Sequence, residues 1–429
     1  MNTRKVIAAV ISGLLLTIGC GSWCLAEDPV VGKAYDHKNI AEVKEYIPIG
    51  MYDLFANPDT WGDDLQFTVE ETKNYVKEGL FPKWMQETEK NAGKAKIGPD
   101  GGIVDWVSGY PFAFNPKTAQ EVIYNVDLNF RGDDFFLDSE TPVVSKGKVE
   151  RTNLAWVHWM GMPFYDQSIG KRLYCDVLKN PDGIQHHQLA AIYGPEEIRS
   201  LQAMEIRYYD PKKFDESWTY VPAMRRVRRM STAQRMDAWA GSDSTYDDFN
   251  GWSGKIPMYE FSNLSRKKLL LIRDLSEEVK YNKTSLWLAP TKMQVSDCLI
   301  IEKKSKDPNH IYSKSIMYID PELFEVRWSV DYDKRGNLWK AHSSAWAVKE
   351  RPFACANGEK VLSYTESGAH HIDFQRVHYS TLHAFDGKAC MGLKPEFFSI
   401  EAMRKFGRSA SLHGNKNTIP RNSTLLNSI

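Results

Sequence analysis

The sequence predicts a mainly β chain of the α+β class, in which many short antiparallel strands are joined by tight turns, the pattern of a sandwich or an open barrel. Three observations carry this reading. Met204, Ile206 and Tyr208 alternate with Glu205, Arg207 and Tyr209, which is the period of a strand with one face buried. After a turn at Asp210-Pro211, Trp218 and Tyr220 share one face of the next strand and Thr219 and Val221 the other, until Pro222 interrupts the ladder. Further on, Ile316 to Pro321 is followed by Val326, Trp328 and Val330 alternating with Arg327 and Ser329; a turn through Asp331 to Gly336 then leads into a return strand at Leu338-Trp339.

The chain opens with Arg4 and Lys5 ahead of an apolar run from Val6 to Ile18, and Cys24-Leu-Ala26 offers small residues before Glu27-Asp28-Pro29. That is the pattern of a secretory signal peptide over 1–26, cleaved after Ala26. The run is shorter than the ~20 apolar residues a spanning helix needs. A rival reading is lipidation on Cys20, although Thr17 sits where an aliphatic residue is usual. Either route places the protein outside the cytoplasm, in the periplasm.

Lys+Arg and Asp+Glu are equal at 55 each, with 26% charged and 42% hydrophobic residues in 429. A balanced charge provides no global field for nucleic acid or an anionic membrane, and the composition is that of a globular protein with room for a large core. Beyond the signal, Cys175, Cys298, Cys355 and Cys390 remain. Four cysteines allow three pairings and the sequence does not choose among them. Their wide spacing is unlike a zinc site, so staples or buried thiols are expected rather than metal chemistry.

From Asn39 to Asn91 the reading is helical: Thr68-Val-Glu-Glu71 has the form of a capping box and Gly79 that of a helix end. The turn cluster Gly98-Pro-Asp-Gly-Gly102 then opens the strand-rich part. His158 lies among Trp156, Trp159 and Phe164, the setting of a core histidine satisfied by one partner. His186-His187 would face opposite sides of a strand, poor geometry for a single metal ion. Tyr259 to Phe261, Lys268 to Ile272 and Ser285 to Pro290 read as further strands. Phe397 to Gly407 reads as a terminal helix capped by Ser399, before a polar tail from 408 to 429.

The densest stretch runs from Trp218 to Met230 and on to Trp252. Arg225, Arg226, Arg228 and Arg229 put cations on both faces of an extended segment, so part of that run must reach solvent, an acidic partner or an anionic ligand. One use is a solvated edge strand whose charge discourages edge-to-edge pairing. Asp243, Asp247 and Asp248 follow, without the ordered ligand spacing of a calcium loop; capping, or pairing with arginine, is the economical use.

This stretch resembles a large Gram-negative periplasmic family of unknown function, related to the outer-membrane lipoprotein-sorting proteins and often found beside exporters of the resistance-nodulation-division type. The matching residues are the strand ending at Pro222, the arginine run, Gly241-Ser-Asp243 and Asp247-Asp-Phe249. Gly109-Tyr-Pro-Phe112, Asn125, Arg131-Gly-Asp133, the 316–339 hairpin, the segment from Asp373 through Gln375 to His378, and the closing helix are similar to that family as well. The likeness covers 98–407, a β-rich domain, and leaves 27–97 as an N-terminal helical segment. It implies a large curved antiparallel sheet, an unclosed barrel like the lipoprotein carriers, with helices covering its concave face.

The resemblance further implies a periplasmic binding or carrier protein for a hydrophobic or lipid-like ligand, working with an envelope exporter. Aromatics with polar tips suit a cavity meeting acyl chains and water, and arginine suits an acidic head group. The candidate ligand-binding residues are therefore Trp218, Tyr220, Arg225, Arg226, Arg228 and Arg229. The alternative is an accessory subunit docking on an exporter or an outer-membrane protein through the arginine edge. No Gly-x-Ser-x-Gly elbow, His-Glu-x-x-His or glycine-rich phosphate loop is present, so no enzyme and no cofactor are expected. Within its strand His378 does not converge with Asp373, which argues against a proton-transfer or metal role built on that pair.

Overall fold

The alternation that marks the strands runs on into one continuous sheet of fifteen strands in a computed structural model of the protein. It describes residues 28–161, 172–175, 180–210, 212–275 and 278–408; the signal peptide, Cys20, Phe164 and the tail beyond 408 lie outside these. In chain order the strands are β1 (Ala34–Asp36), β2 (Gln66–Val69), β3 (Asp134–Ser145), β4 (Lys148–Gly161), β5 (Ile184–Gly194), β6 (Gln202–Tyr208), β7 (Glu216–Val221) and β8 (Arg226–Arg229). There follow β9 (Tyr259–Leu271), β10 (Thr291–Ser305), β11 (Lys314–Ile319), β12 (Val326–Tyr332), β13 (Leu338–Phe353), β14 (Glu359–Asp373) and β15 (His378–Ala389).

Across the sheet the order is β1-β2-β10-β11-β12-β13-β14-β15-β3-β4-β5-β6-β7-β8, with β9 alongside β10. The paired strands are antiparallel, except that β2 runs parallel to the start of β10. Among the described residues β8 pairs only with β7, and β9 only with β10. The sheet is therefore large, antiparallel and unclosed, as the resemblance implied. It is also curved: the short segment 232–251 reaches Glu205 on β6, Asn153 on β4, His378 on β15, Lys340 on β13 and Val326 on β12. A flat sheet would space β6 and β12 several strand widths of ~4.8 Å apart.

Among the described residues five α-helices accompany the sheet: α1 (Met51–Ala56), α2 (Pro58–Trp61), α3 (Pro82–Asn91), α4 (Ala119–Asp127) and α5 (Ile400–Arg408). α4 starts where Thr118 Oγ1 accepts from Glu121 N at 3.1 Å. Its Ala119, Val122, Ile123 and Val126 are buried at helical spacing. With Trp84 of α3 they form one core against Leu299, Ile301, Met317, Trp346 and Tyr364 on the concave face. On the opposite face the N-terminal segment, with Phe55, Trp61 and Phe67, covers Tyr318, Trp328, Val330 and Ala341. Phe398 and Met403, at and beside α5, cover Trp156, Leu189 and Met204 there. Helices thus cover part of the concave face, and the rest lies under the connection from β8 to β9.

The helix expected from Thr68 is absent. Thr68 lies in β2, where Phe67 and Val69 are each 1% exposed and pair with Thr291 and Met293; burial of two large apolar side chains, about 1.5–3 kcal/mol each, outweighs a local capping signal. Glu70 instead accepts from Gln294. The terminal helix is capped as expected, Ser399 Oγ accepting from Ala402 N at 3.1 Å. Of the four cysteines, Cys175 and Cys355 form a disulfide, and Cys298 and Cys390 are free and buried.

Candidate functional site: a roofed chamber on the concave face

Residues 230–258 connect β8 to β9 through four short 3-10 turns, Thr232–Met236, Trp239–Gly241, Tyr246–Gly251 and Ile256–Met258. This connection crosses the concave face as a strap, and named polar residues hold it there. Arg151 and Asn153 of β4 both donate to Ala240 O, at 2.6 and 3.2 Å. Lys340 Nζ of β13 donates to Asp243 O at 2.8 Å. Asp243 takes Ser380 Oγ on one carboxylate oxygen and His378 Nδ1 on the other, both at 2.6 Å. Gly241 has φ +67, and a Cβ there would stand 2.1 Å from Arg151 Nη2; only glycine lets the arginine approach so closely. Thr245 and Asp248 form a reciprocal capping box at the next turn, the capping role expected of the acidic group.

Under the strap is an open chamber, with about 900 Å³ of unfilled space when the solvent at its mouth is included. Its walls are Phe135, Leu137, Val157, Ala190, Ile192 and Leu382 from β3, β4, β5 and β15, and its roof is Trp239 and Phe249. Trp239, Tyr246 and Phe249 pack edge to face or tilted, with centroids 5.4–6.2 Å apart. Polar residues make up half of the lining, among them Ser139, Thr141, Asn153, Gln188, Asp248, Glu366 and His371. A recess that sets convergent polar groups among apolar walls is a usual form of a small-molecule site. Burial pushes the Glu366 carboxyl up to about 7, against the attraction of Arg131, so near neutrality it can present either a donor or an acceptor.

Beside the chamber the strap is tied by a charged cluster. Arg235 pairs with Glu205 and, at 2.7 Å, with Asp247; Arg207 pairs with Asp215 at 3.0 Å and Asp127 at 3.3 Å. Burial acts to raise the Glu205 pKa, but Arg235, His186 and Arg207 outweigh it and hold the carboxyl well below its ordinary range. A second recess of about 750 Å³ lies here, bounded by Phe214, Ser217, Arg235, Tyr259 and His310. It brings the β7 side of the sheet near the β9–β10 side.

The six residues singled out from the sequence divide into two groups. Trp218 and Tyr220 stand opposite Met204 and Gln202 on β6 and pack in the core with Phe398 and Met403, on the face away from the chamber. Arg225, Arg226, Arg228 and Arg229 are exposed on and beside edge strand β8. None of the six lines the chamber. The expected alternation at β7 and the break at Pro222 are both present, Pro222 opening a 3-10 turn.

The chamber walls carry only a weak signal in the sequence because that signal is two-sided. Phe135, Leu137, Ser139 and Thr141 alternate on β3, but Phe136 is itself packed in the α5-side core, so the period-2 contrast is weak. His158 sits between Phe136, Trp156 and Phe397, and His186 and His187 face opposite sides of β5. His186 meets Glu205 and Trp159, whereas His187 stacks on Phe398. Asp373 closes β14 and accepts from Trp339 Nε1 at 3.1 Å, and His378 opens β15 and turns to Asp243.

Fold and site together define a protein built on an open, curved antiparallel sheet with a roofed apolar chamber on its inner face. Residues 35–404 match the family described as "Protein of unknown function (DUF1329)". The chain belongs to that family. Among curated proteins no sequence matches it. Solved structures similar to it include a domain named for outer membrane lipoprotein sorting from Vibrio parahaemolyticus (16% identity, TM-score 0.46, covering 66% of this chain and 97% of that one). A DUF1329 family protein from Desulfovibrio piger (15%, 0.46, 66% and 96%) and a LolA superfamily protein from Nitrosomonas europaea (14%, 0.36, 66% and 98%) are similar too. No described helix is long and apolar enough to cross a membrane.

Proposed function

We propose that the protein is a periplasmic binding or carrier protein for an amphiphile whose apolar part occupies the chamber, and that it works beside an envelope exporter. The observation that carries this reading is the chamber's lining: apolar side chains from four strands under an aromatic roof, with polar groups set among them to orient one end of a ligand. No lysine or arginine is among the lining residues, so the polar end held inside is neutral or cationic rather than acidic. The arginine edge of β8 then meets the acidic group of a partner or a donor membrane during delivery, while Trp218 and Tyr220 anchor that edge from the other face.

Native mass spectrometry with lipid extraction, on protein purified from its own periplasm without detergent, tests the proposal. A reproducible amphiphile on the wild type, lost from a folded Ala155→Phe variant that fills the chamber, is the expected result. An empty wild type that also takes up no lipid when offered it would overturn the carrier reading.

One observation favours a second reading, an accessory subunit that docks on an exporter or an outer-membrane protein. Four exposed arginines stand on a free sheet edge, and none of them forms an ion pair among the described residues. Association with an acidic surface through them would weaken steeply with salt. An empty chamber together with salt-sensitive partner binding would select this reading.

A further inference from the structure

At the inner wall of the chamber three potential ligands from three separate elements converge. Asp331 on β12 and His342 on β13 are diagonal neighbours, since Asp331 stands opposite Lys340 and Ser329 opposite His342, a spacing within reach of side chains on one face of a sheet. Asp248 comes from the strap. His342 Nε2 lies 3.0 Å from Asp331 Oδ2 and 3.7 Å from Asp248 Oδ2, and the three ligand atoms all lie within 4.8 Å of one another. All three residues are buried, His342 and Asp331 to 1% and 2% side-chain exposure.

Hydrogen bonding does not account for this convergence. His342 Nε2 and Asp331 Oδ2 are buried atoms in electrostatic contact at 3.0 Å, yet no well-aligned hydrogen bond satisfies either of them. The far side of the ring is fixed: His342 Nδ1 stands 2.8 Å from His371 Nδ1, on the opposite strand β14. With the proton on His342 Nδ1, Nε2 turns a lone pair toward the two carboxylates. Such an outer contact sets the tautomer of metal-binding histidines. Ser315 Oγ donates to the other oxygen of Asp331, and Asp248 Oδ2, the oxygen nearest the ring, is oriented by Thr245 N and Oγ1, both donating at 2.8 Å, with Tyr312 Oη at 3.5 Å. Lys303 exerts a positive field on Asp331, but its ammonium lies over the Tyr259 ring at 5.3 Å.

We propose that Asp248, Asp331 and His342 bind a divalent transition metal ion, with Zn²⁺ the best match. Separations of 3.0 and 3.7 Å between donor atoms fit edges of a coordination shell with bonds of ~2.0–2.2 Å. Imidazole with carboxylates suits zinc and its first-row neighbours rather than calcium or magnesium, which take oxygen. Three protein ligands leave a position for water or for a polar group of a chamber ligand, since Asp248 also lines the chamber. The ion would join the strap to β12 and β13.

The test uses the full mature protein, stripped with a chelator and dialysed, and needs no lipid, so its outcome is separate from that of the carrier reading. Zn²⁺ uptake is measured by competition with a chromophoric chelator, and Co²⁺ by its visible absorption. One equivalent of Zn²⁺, a Co²⁺ spectrum of low coordination number and a rise of several degrees in melting temperature are expected. Asp331→Asn and His342→Gln should each weaken binding by ~10-fold or more, since weakening even outer contacts commonly costs that much. Stripped wild type that takes up neither ion and melts unchanged would overturn the proposal, as would variants that bind as tightly as wild type.

Discussion

Asp243 and His378 lie 135 positions apart and meet at 2.6 Å between carboxylate and Nδ1, with Ser380 on the other carboxylate oxygen. This contact fastens the strap to the start of β15. The hydrogen bond to Asp243 raises the His378 pKa above its ordinary value, against partial burial, with Glu150 adding a smaller effect. A raised folded-state pKa contributes stability that is complete below the unfolded value near 6.5 and is lost as pH rises through the folded value. Asp243→Asn should bring the His378 titration down in an NMR pH series and flatten stability between neutral and mildly alkaline pH. A titration unchanged in the variant would show that the contact does not set it.

Glu366 should have the opposite character to a stabilising carboxylate. Its pKa, pushed by burial to about 7, means that the folded state holds more protons than the unfolded state between about 4.5 and 7. Stability therefore falls as pH rises through that window. Glu366→Gln should be more stable than wild type at pH 8, by on the order of 1–3 kcal/mol, and nearly equal to it at pH 4.5. Urea titrations at the two pH values check this.

Arg131 and Glu325 form a buried pair at 3.0 Å, and Glu325 also accepts from Asn129 and Tyr364. Removing one partner strands the other charge out of water. Glu325→Ala should cost ~3–5 kcal/mol, read as a lower urea midpoint with little change in slope.

Cys175–Cys355 closes a separation of 180 residues. Replacing both by serine should lower stability by ~2–5 kcal/mol, visible as a lower melting temperature that reductant no longer changes. Burial raises the pKa of Cys390 and of Cys298. A thiol reagent should consequently find no reactive cysteine in the native protein and two after denaturation without reductant.

Replacing Arg225, Arg226, Arg228 and Arg229 together by serine should leave the fold almost untouched. Exposed sites of this kind usually change stability by less than ~0.5 kcal/mol each. If the edge meets an acidic partner, the same variant should lose salt-sensitive binding. Unchanged partner affinity would remove the arginines from any docking role.

What was readable in the sequence was local. The β6–β7 hairpin, the edge strand of arginines, the turn at Pro222 and the Ser399 cap each rest on residues within a few positions of one another. Thr68 misled because a complete capping signal met a parallel pairing with Thr291 to Met293, more than two hundred positions away, which no local pattern reveals. The site was hidden for the same reason. Gly241-Ser-Asp243 and His378 were each noticed, but the fold alone places Asp243 against His378 and sets Asp248, Asp331 and His342 around a common point. Trp218 and the arginines drew notice because aromatic and charged residues stand out in a string of letters. Much of the chamber wall is Leu137, Ala155, Val157, Ala190 and Leu382, which do not.

The strap leaves edge strand β8 at one margin of the sheet and enters β9, which flanks β10 near the other, and it is pinned midway by Asp243. The distance between the margins and the height of the ceiling over the chamber are thus geared to each other through one length of chain. Admission of a bulky guest and a spreading of the sheet would be the same motion.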